Sequence, residues 1–234
     1  MNDQKAPQND LKNRLLQVQQ RISQACGKFD RNETEIQLIG ASKTKPASAI
    51  RTMFGYGLQH FGENYVNEAI KKQTDLKDLD IIWHYIGKIQ SNKTKLIAQN
   101  FDWIHGIDRL KIAKLLNQYH RKKAPLNVLI QINLDAEESK AGILLDEATD
   151  LANKISQLPQ LKLRGLMALP QIRENFTEQQ ACLIQLKQTL GKINTSLNLD
   201  LDTVSAGMSS DLEAAIASGS TMVRVGTDLF GART

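Results

Sequence analysis

The sequence predicts a closed (β/α)8 barrel with one extra helix at its N-terminus, and three observations carry that expectation. Apolar, β-rich runs alternate with helical-period segments, which implies parallel strands joined by right-handed crossovers. The alternation repeats eight times, which favours closure over an open sheet. The length of 234 residues lies close to the about 250 typical of such barrels. No G-x-G-x-x-G follows the first strand, so an open dinucleotide-binding sheet is disfavoured. No Pro/Gly-rich linker divides the chain, so one domain is expected over 1–234, with a flexible tail over 1–8.

The elements follow in order. Leu11, Leu15, Leu16, Val18, Ile22 and Cys26 recur near helical spacing and predict a helix over 9–26. Ile36 to Ser42 reads as the first strand. Pro46 suits the first turn of a helix over 47–54, which stops at Gly55 and Gly57. A strand over 58–61 precedes a helix over 65–76, and a strand over 81–86 precedes a helix over 91–99. A strand over 102–105 leads to a helix over 108–119, with Asp108 as its N-cap. A strand over 127–133 leads to a helix over 145–157 that ends before Pro159. The last three units pair strands over 161–168, 202–206 and 221–225 with helices over 177–190 and 211–218 and a final short turn.

Composition narrows the function. Hydrophobic residues make up 41% and charged residues 24%, an ordinary globular mix. No apolar run approaches the roughly 18 residues of a membrane span, and the first ten residues carry no apolar signal region. A cytoplasmic protein without membrane contact is expected. Cys26 and Cys182 stand far apart, outside any metal-ligand or CxxC spacing, so free buried thiols and no metal are expected. The net charge is +5, but the basic residues are scattered and aromatics are only 5%. That argues against a nucleic-acid partner and for a mildly basic surface attracting phosphorylated small molecules.

In such barrels the chemistry sits at the C-terminal strand ends, often with a phosphate site after strands seven and eight. Lys43 shares the parity of Gln37, Ile39 and Ala41 and ends the first strand on small residues. A lysine at a barrel mouth can form a Schiff base, although a solvated lysine is the plainer reading. Lys45 is its rival, but it precedes Pro46 in the exit loop and would more easily face water. After strand seven, Gly207, Ser209 and Ser210 resemble a phosphate cradle at a helix start. The same residues also fit a capping box from Ser210 to Glu213. In strand eight, Met222, Arg224 and Gly226 share one face and Val223 and Val225 the other. Arg224 then points into the barrel, either to close an ion pair or to meet a ligand. Gly226 and Thr227 could add phosphate donors.

Five segments together resemble the pyridoxal phosphate homeostasis protein family, whose fold is that of the alanine racemase N-terminal barrel. They are Ala41 to Pro46, Phe61 to Val66, Trp83 to Gly87 with Gln90 to Lys93, Gly207 to Asp211 with Glu213 to Ile216, and Gly219 to Thr227 with Phe230 to Arg233. They span nearly the whole chain in order. The resemblance implies that pyridoxal 5′-phosphate (PLP) is bound covalently as a Schiff base on Lys43. It implies phosphate contacts from Ser209, Gly226 and Thr227, Arg224 at the pyridine nitrogen, and Asn64, His84 and Met208 lining the cofactor. Lys88, Ile89 and Gly106 depart from the family pattern on the side of the third and fourth strands.

The resemblance also bears on activity. A guanidinium beside the pyridine nitrogen would keep it unprotonated and weaken PLP as an electron sink. A racemase needs a second base, which alanine racemase supplies with the help of an extra C-terminal domain and a partner subunit. This chain ends a few residues past the eighth strand, and Tyr65 and Tyr85 are the in-barrel alternatives. The expectation is a non-catalytic PLP carrier, a monomer, with PLP-dependent apo-enzymes as recipients. The alternative is a PLP-dependent amino-acid racemase.

Overall fold

The computed structural model describes residues 5–137 and 140–232. Eight parallel strands close into a barrel in sequence order: β1 (Gln37–Ala41), β2 (His60–Glu63), β3 (Ile82–Tyr85), β4 (Trp103–Ile107), β5 (Leu126–Ile132), β6 (Leu161–Ala168), β7 (Thr203–Ser205) and β8 (Met222–Val225). Closure is made by β1 and β8, with Gln37 opposite Met222 and Ile39 opposite Arg224. The helices are α1 (Lys5–Lys28), α2 (Ala47–Gly55), α3 (Val66–Asp75), α4 (Thr94–Asn100), α5 (Leu110–Tyr119), α6 (Ala148–Ser156), α7 (Phe176–Leu197), α8 (Leu212–Ala217) and α9 (Thr227–Phe230). Of the tail expected over 1–8, residues 1–4 lie outside the described residues, as does Arg233, and α1 already begins at Lys5.

Strand alternation builds two apolar layers. Leu38, Phe61, Val223 and Val225 face outward into a continuous core shared with the helices. Ile39, Trp103, Leu129, Met167 and Met222 face the barrel axis and fill it. The parity expected for β8 therefore holds. Helix α1 buries Leu15, Val18 and Ile22 into the outer core and lies against α2, α8 and α9. Each such side chain contributes up to about 1.5–3 kcal/mol, so α1 is anchored firmly beside the last two βα units. Both cysteines are buried and free. Among the described residues no helix is long and apolar enough to cross a membrane.

Several local expectations need correction. The helix expected to end at Leu190 runs on to Leu197, because Gly191 is tolerated while Ile193 adds another buried position. It ends where Asn198 turns left-handed at φ 50°. Asp108 does not cap α5; its carboxylate pairs with Arg109 at 2.6 Å, and Arg109 takes the cap position without a side-chain cap bond. The capping box from Ser210 to Glu213 does not form. Asp211 is the N-cap of α8, and the Glu213 carboxylate is drawn away to Arg21. The helices expected over 91–99 and 145–157 each open with a 3-10 turn, Ser91–Lys93 and Leu145–Glu147.

Candidate functional site

At the C-terminal strand ends the structure brings Lys43, Met208, Ser209, Arg224, Gly226 and Thr227 around one cleft of about 410 Å³. That volume is ordinary for a small-molecule site. Lys43 leaves β1 half-buried, with buried Ser42 before it. Thr44 after it has a left-handed φ of 66°. A β-branched residue is rarely found there, so the turn beside Lys43 is strained. Lys45 lines the same cleft, and its Nζ donates to the Ala232 carbonyl at 2.8 Å at the exposed surface.

Across the cleft, Met208 donates its backbone N–H to Asp211 Oδ1 at 2.7 Å, which shapes the turn carrying Ser209 and Ser210. Gly207 adopts φ 101°, and a Cβ there would lie 2.6 Å from the Ala215 methyl. Its role is thus close packing onto α8 as much as access for a ligand. Gly226 is the N-cap of α9 and Thr227 its first residue, so the β8 end turns at once into helix beside the cleft.

Arg224 is buried on the barrel axis. Nη1 donates to Ser205 Oγ at 2.5 Å and Nη2 to the Ala168 carbonyl at 2.9 Å, neither of them charged. Burial pushes the guanidinium down to about 10, with Asp211 acting against it, so it stays a cation at neutral pH.

From Ser205 a chain of side chains descends the axis. His105 Nδ1 lies 3.0 Å from Ser205 Oγ, His84 Nδ1 lies 2.9 Å from His105 Nε2, and His60 Nδ1 lies 2.9 Å from His84 Nε2. With Arg224 donating to Ser205 Oγ, the serine hydroxyl is left able to donate to His105, and each imidazole can then donate to the next. Burial holds His84 and His105 far below the usual imidazole range, and both are neutral. His84 therefore spends both ring nitrogens inside the barrel and meets the cleft only through this chain. Its position opposite Gly62 and stacked on Trp103 at 5.7 Å is the reason.

Asn64 sits apart from the other candidates. It lines a neighbouring cavity of about 560 Å³ with Tyr65, Tyr85, Lys88 and Lys93. Gly87 allows this, because a Cβ there would come 2.4 Å from the Asn64 carbonyl oxygen. Asn64 Oδ1 is buried and accepts no hydrogen bond among the described residues. A buried acceptor of this kind suits a donor from a ligand.

Two cations were not legible as site residues. Arg21 on α1 donates to both Glu213 oxygens at 2.7 and 2.9 Å, to Asp228 at 2.6 Å and to the Ser209 carbonyl at 2.9 Å. It ties the β7–α8 and β8–α9 turns together. Lys72 on α3 does similar work under Lys43. Its signal was present: Val66, Ala69 and Lys72 fall at three-residue spacing on the buried face of α3.

A family model, the N-terminal domain of alanine racemase, matches residues 35–234. The chain is 48% identical over 229 residues to the pyridoxal phosphate homeostasis protein of Escherichia coli K12, covering 96% of this chain and 97% of that one. It is 47% identical to the Pseudomonas aeruginosa protein of the same name over 94% of each chain. Among solved structures, PipY of Synechococcus elongatus with PLP bound superposes with a TM-score of 0.82 at 35% identity, covering 94% of this chain and all of that one. Alanine racemase of Corynebacterium glutamicum, at 14% identity and TM-score 0.69, shares the fold, and this chain covers 61% of it.

Proposed function

The chain belongs to the pyridoxal phosphate homeostasis protein family, and on that premise we propose that it binds PLP as a Schiff base on Lys43 and acts in PLP homeostasis without turning over a substrate. The observation that carries this reading is the convergence of Lys43, the buried Arg224, Ser209 and Thr227 on a single cleft, which Lys45 also lines. That donor set suits a ligand with an anionic group at one end and an electrophile at the other. PLP supplies a phosphate and an aldehyde, which an amine captures reversibly with loss of water. Ser209, Gly226 and Thr227 would hold the phosphate, with Met208 beside them. Arg224, already committed on two sides, would direct its remaining N–H groups at the ring nitrogen. Asn64 would close the Lys43 side through its orphaned oxygen, and His84 would act at a distance through the axial chain.

Tyr85 favours the carrier over the racemase. Its hydroxyl donates to the Lys88 carbonyl at 3.2 Å, and burial pushes its pKa up, so it is poorly equipped as a second base. The 1–234 barrel would work as one cytoplasmic domain, a monomer suffices for this chemistry, and apo-enzymes needing PLP would be the recipients.

Borohydride reduction followed by peptide mass spectrometry tests the anchor. Lys43→Ala should abolish the trapped adduct and the imine absorbance, while Lys45→Ala should keep both. An adduct retained in Lys43→Ala overturns the assignment. Sustained Cα exchange with racemisation of L-amino acids in D₂O would overturn the non-catalytic reading and favour the racemase.

A further inference from the structure

Beneath Lys43 lies a buried ion cluster that the chemistry above does not use. Lys72 Nζ donates to the Ser42 carbonyl at 2.9 Å and to Glu63 Oε1 at 2.7 Å, and is ion-paired with Glu68 Oε1 at 2.6 Å. Ser42 Oγ adds a bond to Glu63 Oε1 at 2.6 Å. Glu68 Oε1 also accepts the Thr44 backbone N–H at 2.9 Å. Lys72 is 6% exposed, and Glu63 and Ser42 are fully buried.

The cluster grips the chain on both sides of one residue. The Ser42 carbonyl, just before Lys43, is held by Lys72. The Thr44 amide, just after it, is held by Glu68. Between them the backbone turns through the left-handed Thr44. Strain of that kind persists only where surrounding contacts over-determine it. Burying the Glu63 carboxylate and the Lys72 ammonium is costly, and apolar packing would serve stability as well or better. A cluster that spends its bonds on the two peptide groups flanking one side chain is better explained by aiming that side chain.

We propose that Lys72, with Glu63 and Glu68, is the positioning device for Lys43, fixing the Ser42–Thr44 backbone so that the lysine amine is presented to the cleft at a set angle. This rests on the reading of Lys43 as the PLP anchor. The cluster works as one unit: Lys72 and Glu68 hold the two peptide groups, and Glu63 holds Lys72 in place.

The test uses the full-length protein and PLP. Lys72→Met should weaken PLP binding by about tenfold, the loss of one well-aligned charge-assisted contact. It should shift bound PLP from imine towards free-aldehyde absorbance and reduce the borohydride-trapped fraction on Lys43. Glu68→Ala should do the same more weakly and speed hydrogen exchange at the Thr44 amide. Glu68→Gln keeps an acceptor for that amide and should restore the absorbance ratio and slow exchange. A folded Lys72→Met protein with wild-type affinity, absorbance ratio and trapped fraction overturns the proposal. If Lys72→Met does not fold, the Glu68 pair decides, and equal absorbance ratios for Glu68→Ala and wild type overturn it. Failure of the anchor reading looks different: wild-type protein would then yield no adduct on Lys43 at all.

Discussion

The two walls of the cleft are each held by one cation, in opposite surroundings. On the β1–β3 wall, Lys72 is almost sealed from water and bonds to Glu63, which is fully buried. On the β7–β8 wall, the Arg21 side chain is 31% exposed and bonds to Glu213 at 42%. The carboxylates respond in opposite directions. Burial pushes Glu63 up despite Lys72 and Ser42, whereas the hydrogen bond and charge of Arg21 hold Glu213 down against a milder burial penalty. The same pairing of glutamate with cation thus costs the protein on one wall and stabilises it on the other. A buried cluster fixes an angle for one side chain, and an open one staples two turns that together line the other side of the cleft.

The largest effect should come from cutting the open staple. Arg21→Ala removes four hydrogen bonds that join α1 to Ser209, Glu213 and Asp228. Bonds to charged groups contribute about 1.5–3 kcal/mol each when buried, and solvent screening here reduces the sum to about 2 kcal/mol of stability. PLP affinity should fall while the bound fraction keeps its imine absorbance, because Lys43 is untouched. The converse pattern, normal affinity with imine lost, would show that the two walls do not divide the work in this way. Isothermal titration and absorbance on one sample distinguish the two.

A smaller effect separates the walls by pH. Glu213 has a folded pKa below its unfolded value, so its pair contributes stability above about 4.5 that is lost as pH falls through the folded pKa. Glu63 has a folded pKa above its unfolded value. The native state then binds the extra proton, and stability declines as pH rises from about 4.5 through the raised value. Thermal melts of Glu213→Gln and Glu63→Gln between pH 4 and 7 should therefore diverge from wild type with opposite slopes. Neither slope can exceed about 1.4 kcal/mol per pH unit. Parallel slopes would mean that Glu63 is better solvated than its contacts imply.

The two walls were not equally legible in the sequence. Barrel class and strand parity followed from period and count, and Arg224 and Val223 were separated correctly by alternation alone. Lys43, Ser209 and Thr227 stood out because strand ends are where this fold collects chemistry. Arg21 left no such mark, since a charged residue beside Ile22 on an amphipathic helix looks like its solvent edge. His84 was marked only through the family resemblance, and its stacking with His60 and His105 left no mark for a related reason. His60, His84 and His105 come from three strands, and only the barrel's register stacks them. Local cues misled where a tertiary partner outbid them, as when Arg21 drew Glu213 away from the expected cap.

The smallest effect bears on the turn between Lys43 and Pro46. Thr44 holds φ 66°, which costs an L-residue about 1–2 kcal/mol relative to glycine. Thr44→Gly relieves that strain but loosens the unfolded chain, an opposing cost of about 0.5–1 kcal/mol. The net gain should be under about 1 kcal/mol, a rise in melting temperature of a few degrees at most for a chain of this size. The bond from the residue-44 amide to Glu68 survives the change, since it uses the backbone alone. PLP affinity and imine absorbance should therefore stay at wild-type values. Were Thr44→Gly to lose the imine while Glu68→Ala kept it, the strained residue itself, and not the ion cluster beneath it, would be aiming Lys43.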